Sequence, residues 1–517
     1  MSVSPADTCR HLVVVLGDQL DESSAALDGF DPARDCILQM EVREEATYVP
    51  QHKLRLAFFF SSMRHFRERQ RQLGRRVIYR AIDDPDNRHS FVGEIAFWAD
   101  KHRPQRILML EPGDWRVREQ LATLALPIEW RSDRHFLCSG PEFAQHAQGR
   151  QSLRLDEFYR RMRRRFRVLL EADGSPVGGA WSFDADNRAS FGRKAVPELP
   201  PAPRCAPDAL TREVLALVQR EFPDSPGKCA RFDFPVTRQQ ALHALHDFVA
   251  NRLGDFGRYQ DAMHGGEPFL FHSQLSGALN LHLLSPREVL EAVLANPAGA
   301  PLNSIEGFVR QILGWREYVH GIYCNWMPHY AQANVLAAEL PMPRFYWTGE
   351  TEMRCLAEAI GHTIDHAYAH HIERLMVLGL FCLLLGVRPY DVHRWHLSMF
   401  RDAIDWVSLP NVIGMSQHAD GGRMATKPYV ASGQYINRMS NHCRQCRFDP
   451  KKALGDDACP FTTLYWDFLE RHAERFATNP RMQYQYKNLN GKPASERAAI
   501  RRRAQGLKNK FTADVFL

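Results

Sequence analysis

Four cysteines stand apart from the other seven in this sequence. Cys443 and Cys446 form a C-x-x-C, Cys459 follows and is itself followed by Pro460, and Cys355 lies far upstream. A compact trio of thiolates suits one soft metal centre, zinc or iron–sulfur. A closed zinc site would usually bring a second C-x-x-C or a Cys/His pair. A remote ligand plus a C-terminal trio is more typical of a cluster that pins two helical segments together, so the spacing favours iron–sulfur. Zinc is the main alternative and a redox C-x-x-C a lesser one. A second chemical feature is the His-rich run Asp365, His366, His370, His371. Imidazole gives and takes protons near working pH. The alternatives are a helical metal site, with His366 and His370 on one face, or a satisfied polar core. A third is the D-x-x-D of Asp402 and Asp405, for which Arg374 is the natural cation; as an exposed ion pair it would be worth little. Two basic clusters, residues 159–167 (YRRMRRRFR) and 500–503 (IRRR) with Lys508 and Lys510, suit phosphate contact or a solvated helix face equally.

These residues need a frame. The chain has 517 residues, long enough for two or three domains. Its 44% apolar and 24% charged residues are those of a soluble globular protein. The net charge of +6 is weak evidence for nucleic acid by itself. No apolar run approaches the ~18 residues of a membrane span, and the start lacks a signal-peptide layout, so a cytoplasmic protein with no membrane partner is expected. An odd count of 11 cysteines without a secretory signal argues against a disulfide framework. The scattered seven are expected to be mostly buried thiols.

Residues 1–135 alternate strand patterns (11–16, 36–42, 76–82, 106–110, 128–131) with helical ones (51–74, 91–102, 117–124). Such alternation predicts an α/β, doubly wound parallel sheet that binds ligands at the carboxyl ends of its strands. There is no GxGxxG, so the ordinary dinucleotide fingerprint is absent. Residues 136–235 read as an irregular interdomain linker carrying the first basic run, with the Pro-rich stretch PELPPAPRCAPD. From 236 to 517 helical periods dominate, at 239–252, 285–295, 305–323, 350–385, 390–403 and 460–476, predicting an all-helical second domain.

Within that domain, residues 259–283 hold the block HSQLSGALN, residues 306–318 read EGFVRQILGWREY, residues 363–376 TIDHAYAHHIERLM and residues 401–414 RDAIDWVSLPNVIG. The first resembles the T-S-x-L-S-P-Y-L block of photolyases, and the second their E-x-F-V-R-x-x-x-W-R-E. With the four cysteines, and with LGDQL, EEATYV and LEPGDWR near the N-terminus, the chain resembles one branch of that superfamily. This is the bacterial iron–sulfur photolyases and cryptochromes, whose repair-active members act on (6-4) photoproducts. The resemblance runs through nearly the whole chain in order.

The resemblance implies light-driven repair of UV-damaged DNA by electron transfer from photoexcited reduced FAD, with histidine-assisted proton transfer. FAD contacts carry over to Tyr259, Ser273, Gln274, Leu275, Ser276, Arg310, Arg374, Asp402, Asp405 and Asn411. A Ser-rich turn with free backbone N–H groups is suited to a pyrophosphate, although a lone Ser there is an ordinary N-cap. The repair histidines fall on His370 and His371, with His371 the proton donor. Tyr429 and Gln311 fall beside the lesion. Electron-relay tryptophans fall on Trp395 and Trp347; His396 and Ile404 stand where this branch usually has tyrosine, which puts the relay's route in doubt. A [4Fe-4S] cluster is implied at Cys355, Cys443, Cys446 and Cys459. A 6,7-dimethyl-8-ribityllumazine antenna is implied at Asp18, Glu45 and Tyr48, a carboxylate and phenol set able to hydrogen-bond a polar heterocycle. The partner is damaged DNA with its lesion flipped from the stack, and a monomer is the simplest assembly. A cryptochrome-type photosensor is the second reading, and a metal-bound helical nucleic-acid binder the third.

Overall fold

A computed structural model describes residues 8–192, 196–201, 203–296 and 298–513. The apolar runs of the N-terminal part form five strands: β1 His11–Val14, β2 Cys36–Met40, β3 Val77–Arg80, β4 Arg106–Leu110 and β5 Ile128–Arg131. They lie in the order β3-β2-β1-β4-β5, every neighbour pair parallel. Side chains alternate between faces with the pleat. Leu12, Val14 and Leu16 pack with Leu38, Ile95 and Met109 beneath the helix Phe91–His102. Val13, Val15 and Ile37 face the other way, into a core that continues through Leu279 and Trp406 of the helical part. Both faces are therefore covered, as a parallel sheet requires. The strand order reverses between β1 and β4, and the loops beyond these two strands border a cleft at that switch point.

Residues 136–235 are not the irregular linker expected. They contain the helices Gly140–Ala147, Leu155–Phe166 and Ala209–Glu221. Pro141 sits in the first turn of the first of these helices, where its missing N–H costs nothing. Ser139 and Glu142 close a capping box there. Phe158, Tyr159 and Met162 of the second helix are buried. Arg163 is buried too, donating to the carbonyls of Val168, Leu169 and Trp181, so this part of the basic run is structural.

The helical part also departs from simple periodicity. The stretch 350–385 is not one helix. Arg354–His366 stops at Ala367, whose φ of 48° is left-handed, and a new helical segment starts at His371. His366 and His370 thus share no helix face, which removes the helical metal site. Three π-helical turns, Arg310–Arg316, Arg374–Gly379 and Asn411–Ser416, interrupt the longer helices. Such turns concentrate at functional sites.

His52 joins the two parts. It caps the long helix Lys53–Gln72 by accepting the Leu54 N–H on Nδ1 (3.0 Å), while Nε2 lies 2.8 Å from the Ile364 carbonyl and donates to it. Both nitrogens are committed in the neutral ring, and burial lowers its pKa to about 4. The unfolded chain would take up that proton near 6.5, so the native state loses stability as pH falls from about 6.5 to 4, by up to about 1.4 kcal/mol per pH unit for such a group. Buried His135 and half-buried His320 are shifted in the same direction by desolvation. Thermal unfolding midpoints are therefore expected to fall between pH 7 and 5, and less steeply in His52→Gln; a flat profile would contradict this.

Candidate active site

An interior cavity of about 1140 Å³ opens in the helical part. Its wall gathers Ser273, Gln274, Ser276, Arg310, Gln311, His370, His371, Arg374, Asp402, Asn411 and Tyr429, which come from well-separated segments of sequence. All three π-helical turns contribute to this wall.

Asp402 is its electrostatic anchor. Arg374 grips both oxygens (Nη1–Oδ1 3.0 Å, Nη2–Oδ2 3.1 Å), and the Ser276 hydroxyl donates to Oδ2 at 2.6 Å. Burial alone would push the carboxyl up, but Arg374 and then Ser276 outweigh it and hold its pKa below the usual value. A bidentate, charge-assisted pair of this kind fixes geometry as well as charge. Arg374 is braced in turn by the Ala369 carbonyl (2.6 Å) and lies 4.0 Å from the centre of the Phe400 ring. Asn411 donates to the Val407 carbonyl of its own helix (2.7 Å), and Gln311 to that of Gly307 (3.0 Å).

Several buried donors on this wall have no partner. Arg310 spends Nε on Glu306 (3.1 Å) and Nη1 on Asp184 (3.0 Å), leaving Nη2 unpaired. Arg316 pairs Nη1 with Glu317 (2.8 Å) but leaves Nε and Nη2 unpaired; the Ser408 hydroxyl is likewise unpaired. Buried polar groups are almost always satisfied, so this set fits a bulky cofactor bearing anionic groups. Sequence reasoning missed Arg316 and Ser408, although Arg316 lies inside the quoted W-R-E block. The rim is cationic, with Arg154, Arg160, Arg188, Lys427, Arg438 and Arg481.

The histidines sit within this wall. His370 is buried and stacks on His272, with ring centres 4.4 Å apart. Burial, then His272, pushes its pKa well down. His371 lies deep in the protein but is open to the cavity; burial and then Arg374 lower it to about 4. Water in the open cavity softens that penalty, and a bound substrate restores it.

Other expected residues stand elsewhere. Tyr259 stacks on Phe191 and Phe271 outside the wall, and Leu275 is buried at the start of the short helix Ser276–Asn280. Asp405 faces away from the large cavity. It accepts from the Tyr323 hydroxyl and from His393 Nε2 (2.8 Å) and borders the N-terminal cleft. Asp402 and Asp405, three apart in sequence, thus serve different sites because Asp405 opens the helix Asp405–Pro410, a split that D-x-x-D spacing does not reveal. Trp395 stands behind His396 and Phe400 of the cavity wall and donates to the Tyr346 carbonyl (3.1 Å), its ring 5.2 Å from that of Tyr346. Trp347 is half-buried on the adjoining turn Phe345–Thr348. The 500–510 basic cluster does not border the cavity. Arg501 pairs with Glu470, Lys508 with Asp467 and Lys510 with Glu352.

The cleft at the strand ends collects Asp18, Glu45 and Tyr48 with Asp114 and Ile404. Burial raises both Asp18 and Glu45 to about 7. Arg116 pairs with Glu45 (2.5 Å) and Asp114 (3.0 Å) and lies 4.0 Å from the Tyr48 ring centre. Carboxyls poised near neutrality can donate or accept, which suits a polar heterocycle.

Cys355, Cys443, Cys446 and Cys459 border one small void together with Met353, Ile436 and Phe461. Cys355 opens the helix Arg354–His366, and Cys459 caps Pro460–Arg471. A Cβ on Gly433 would lie 2.7 Å from the Cys459 sulfur. Burial, and then the other three thiols, push Cys355 well up, and Cys443 rises to about 12. Four sulfurs crowded at one void, two of them buried, fit a soft, positively charged centre.

Comparison with known proteins accords with this architecture. A family model described as "Deoxyribodipyrimidine photo-lyase-related protein" matches residues 13–234. A protein of Agrobacterium fabrum (strain C58) named "(6-4) photolyase" is 50% identical over 484 residues, covering 92% of this chain and 94% of its own. Among solved structures, a bacterial class III photolyase from Agrobacterium tumefaciens superposes with a TM-score of 0.54 at 15% identity, covering 99% of this chain and 100% of that one. A Synechocystis sp. PCC6803 cryptochrome gives 0.53 at 14% identity over the same shares. These two establish the fold, and the first relative, similar along nearly the whole of both chains, establishes kinship: the chain belongs to the bacterial photolyase/cryptochrome family.

Proposed function

We propose that the protein is a (6-4) photolyase, which uses light to repair (6-4) photoproducts in DNA. The observation that carries this reading is the cavity itself. A cationic rim leads to a wall where the His370–His371 pair shares one cavity with the Arg374–Asp402 pair, the unpaired Nη2 of Arg310 and the unpaired Nε and Nη2 of Arg316. A flavin, FAD, is the cofactor whose size and phosphates suit that wall; when reduced and illuminated it supplies the electron that opens the lesion. Arg310, Arg316, Ser273 and Ser276 would hold its anionic part, and Arg374–Asp402 with Asn411 its ring. His371 would give a proton to the lesion, with His370 behind it, while Tyr429 and Gln311 line the lesion's place. A bound lesion would fill the cavity's mouth and keep bulk water from the reacting bases.

A [4Fe-4S] cluster at the four cysteines is supported by the donor set, and a ribityllumazine antenna at Asp18, Glu45 and Tyr48 by the carboxyls poised near neutrality. Residues 1–135 are the antenna domain in this reading, 136–235 a helical connector and 236–517 the catalytic domain. It works in the cytoplasm as a monomer; among the described residues no helix is long and apolar enough to cross a membrane.

Arg160, Lys427 and Arg481 would meet DNA phosphates. Neutralising all three is expected to lower the slope of log affinity against log salt by about 0.9 per lost contact, measured on lesion-bearing duplex between about 50 and 200 mM salt. An unchanged slope would remove the rim from the DNA interface. The function itself is tested by anaerobic illumination of reduced protein with an oligonucleotide carrying one (6-4) photoproduct. Restored thymines are expected. Failure on this lesion and on a cyclobutane-dimer control, by DNA-bound and reduced protein, would replace repair with a photosensor.

A further inference from the structure

Glu373 is a carboxylate with no exposed surface, set behind the cavity histidines. The chain reversal at Ala367 creates its surroundings. The helix Arg354–His366 ends there, the chain runs extended through His370, and His371–Glu373 begins the next helical segment. The reversal lays His362 against Glu373, with Nδ1 and Oε1 3.1 Å apart. The other oxygen, Oε2, faces His370 Nε2 at 3.7 Å. That separation is beyond a hydrogen bond, so Oε2 and both nitrogens of His370 are buried without partners. On its far side, His362 Nε2 lies 3.9 Å from Glu358, a partly exposed residue paired with Arg354.

The charges around His370 oppose a proton on it. His272 stacks on one face, His362 approaches from the preceding helix, and His371 and Arg374 adjoin it on its own segment. Each is neutral or positive. Glu373 supplies an opposite charge within the range that favours the charged form of an imidazole. Burial would lower the pKa of His362, but its bond to Glu373, and then Glu358, raise it above the usual value.

We propose that Glu373 is a positioning residue for the repair reaction: its buried carboxylate, held by His362, is the counter-charge that lets the His370–His371 pair enter the reaction carrying a proton. The inference rests on the photolyase reading. In the loading step an N–H bond breaks at His362 Nδ1 and one forms at His370 Nε2. The proton passes from His362, which starts as the imidazolium, to Glu373 Oε1; rotation of the carboxyl about its Cγ–Cδ bond presents that O–H to His370, and once it is given up Glu373 is the carboxylate it began as and His362 is neutral. Closing the gap to His370 takes about one ångström of side-chain motion.

Glu373→Gln keeps the shape and removes the charge. Light-driven repair by reduced Glu373→Gln is expected to fall about tenfold or more at pH 8 and to recover partly at pH 6, whereas Glu373→Asp restores the parent's pH profile. A second readout needs no repair. In protein labelled with [13Cε1]histidine, the His370 titration, identified by its loss in His370→Asn, should move down by about one pH unit or more in Glu373→Gln. A repair–pH profile that superimposes on the parent's, or a His370 titration that does not move, overturns the proposal. If Glu373→Gln does not fold, His362→Gln carries the repair measurement: without the proton source repair should fall at pH 8 and recover partly at pH 6, and a profile that superimposes on the parent's overturns the proposal. Should the parent repair no lesion, the function reading fails, and the titration alone decides whether Glu373 holds the proton on His370.

Discussion

His371→Ala is expected to slow light-driven repair of a (6-4) photoproduct by about 100-fold or more, the range that a positioned general acid contributes. Flavin content, folding and affinity for damaged DNA should stay close to the parent. The separation follows from where the ring sits. His371 opens onto the cavity although the protein around it is dense, so its removal enlarges an existing space and leaves no new hole in the core. Alanine preserves the helical start. The structure also predicts a pH signature. Burial and Arg374 hold His371 near 4, so a neutral ring prevails at working pH unless the bound lesion or the histidine behind it changes the balance. Repair by the parent should therefore decline as pH rises, and the residual repair of His371→Ala should lack that decline. Single-turnover repair after a calibrated flash, followed by chromatography of the oligonucleotide, reads both quantities. Repair within about threefold of the parent would transfer the acid role to His370.

Much of the cavity's lining was legible because it lies in short blocks that follow one another in a characteristic order. Ser273, Arg374 and Asp402 stand in three separate blocks, and the structure draws them to one wall. The parallel sheet was legible from period alone, since strands buried on both faces leave near-continuous apolar runs. What stayed hidden depends on backbone geometry that residue type encodes weakly. Ala367 in a left-handed conformation breaks the helix that periodicity continues through, and so separates His366 from His370 and brings His362 to Glu373. The π-helical turns rotate Arg310, Arg374 and Asn411 relative to a regular helix, and no residue pattern announced them. The resemblance carried Asp405 to the same site as Asp402; the helix that starts at Asp405 turns it instead toward Tyr323, His393 and the N-terminal cleft. Arginine runs were the least informative, because buried, ion-paired and open arginines look alike in sequence. Arg163 satisfies backbone carbonyls, Arg165 pairs with Glu142, and Arg160 of the same helix reaches the cavity rim.

Cys355→Ser is expected to produce the largest loss of stability. Cys355 is the single member of its quartet outside the segment 443–459, and it sits at the start of the helix that carries His362. A metal centre bound only by the folded chain stabilises it through that binding, and here it would tie this helix to the helix Pro460–Arg471 across an apolar void. Without such a centre, the buried thiols of Cys355 and Cys459 and the half-buried ones of Cys443 and Cys446 crowd around a gap, and burial pushes Cys355 and Cys443 up. The cost should be on the order of 5 kcal/mol or more, judged against structural zinc sites that supply roughly 10 or more. Because the same helix presents His362 to Glu373, slackening its start should also loosen the cavity wall, so flavin should be retained less well. Iron and acid-labile sulfide analysis beside thermal unfolding tests the chain of reasoning. Loss of both elements with a lowered unfolding midpoint is expected. Bound zinc without sulfide in the parent would replace the cluster with a mononuclear site, and an unchanged iron content in the variant would remove Cys355 from the ligand set.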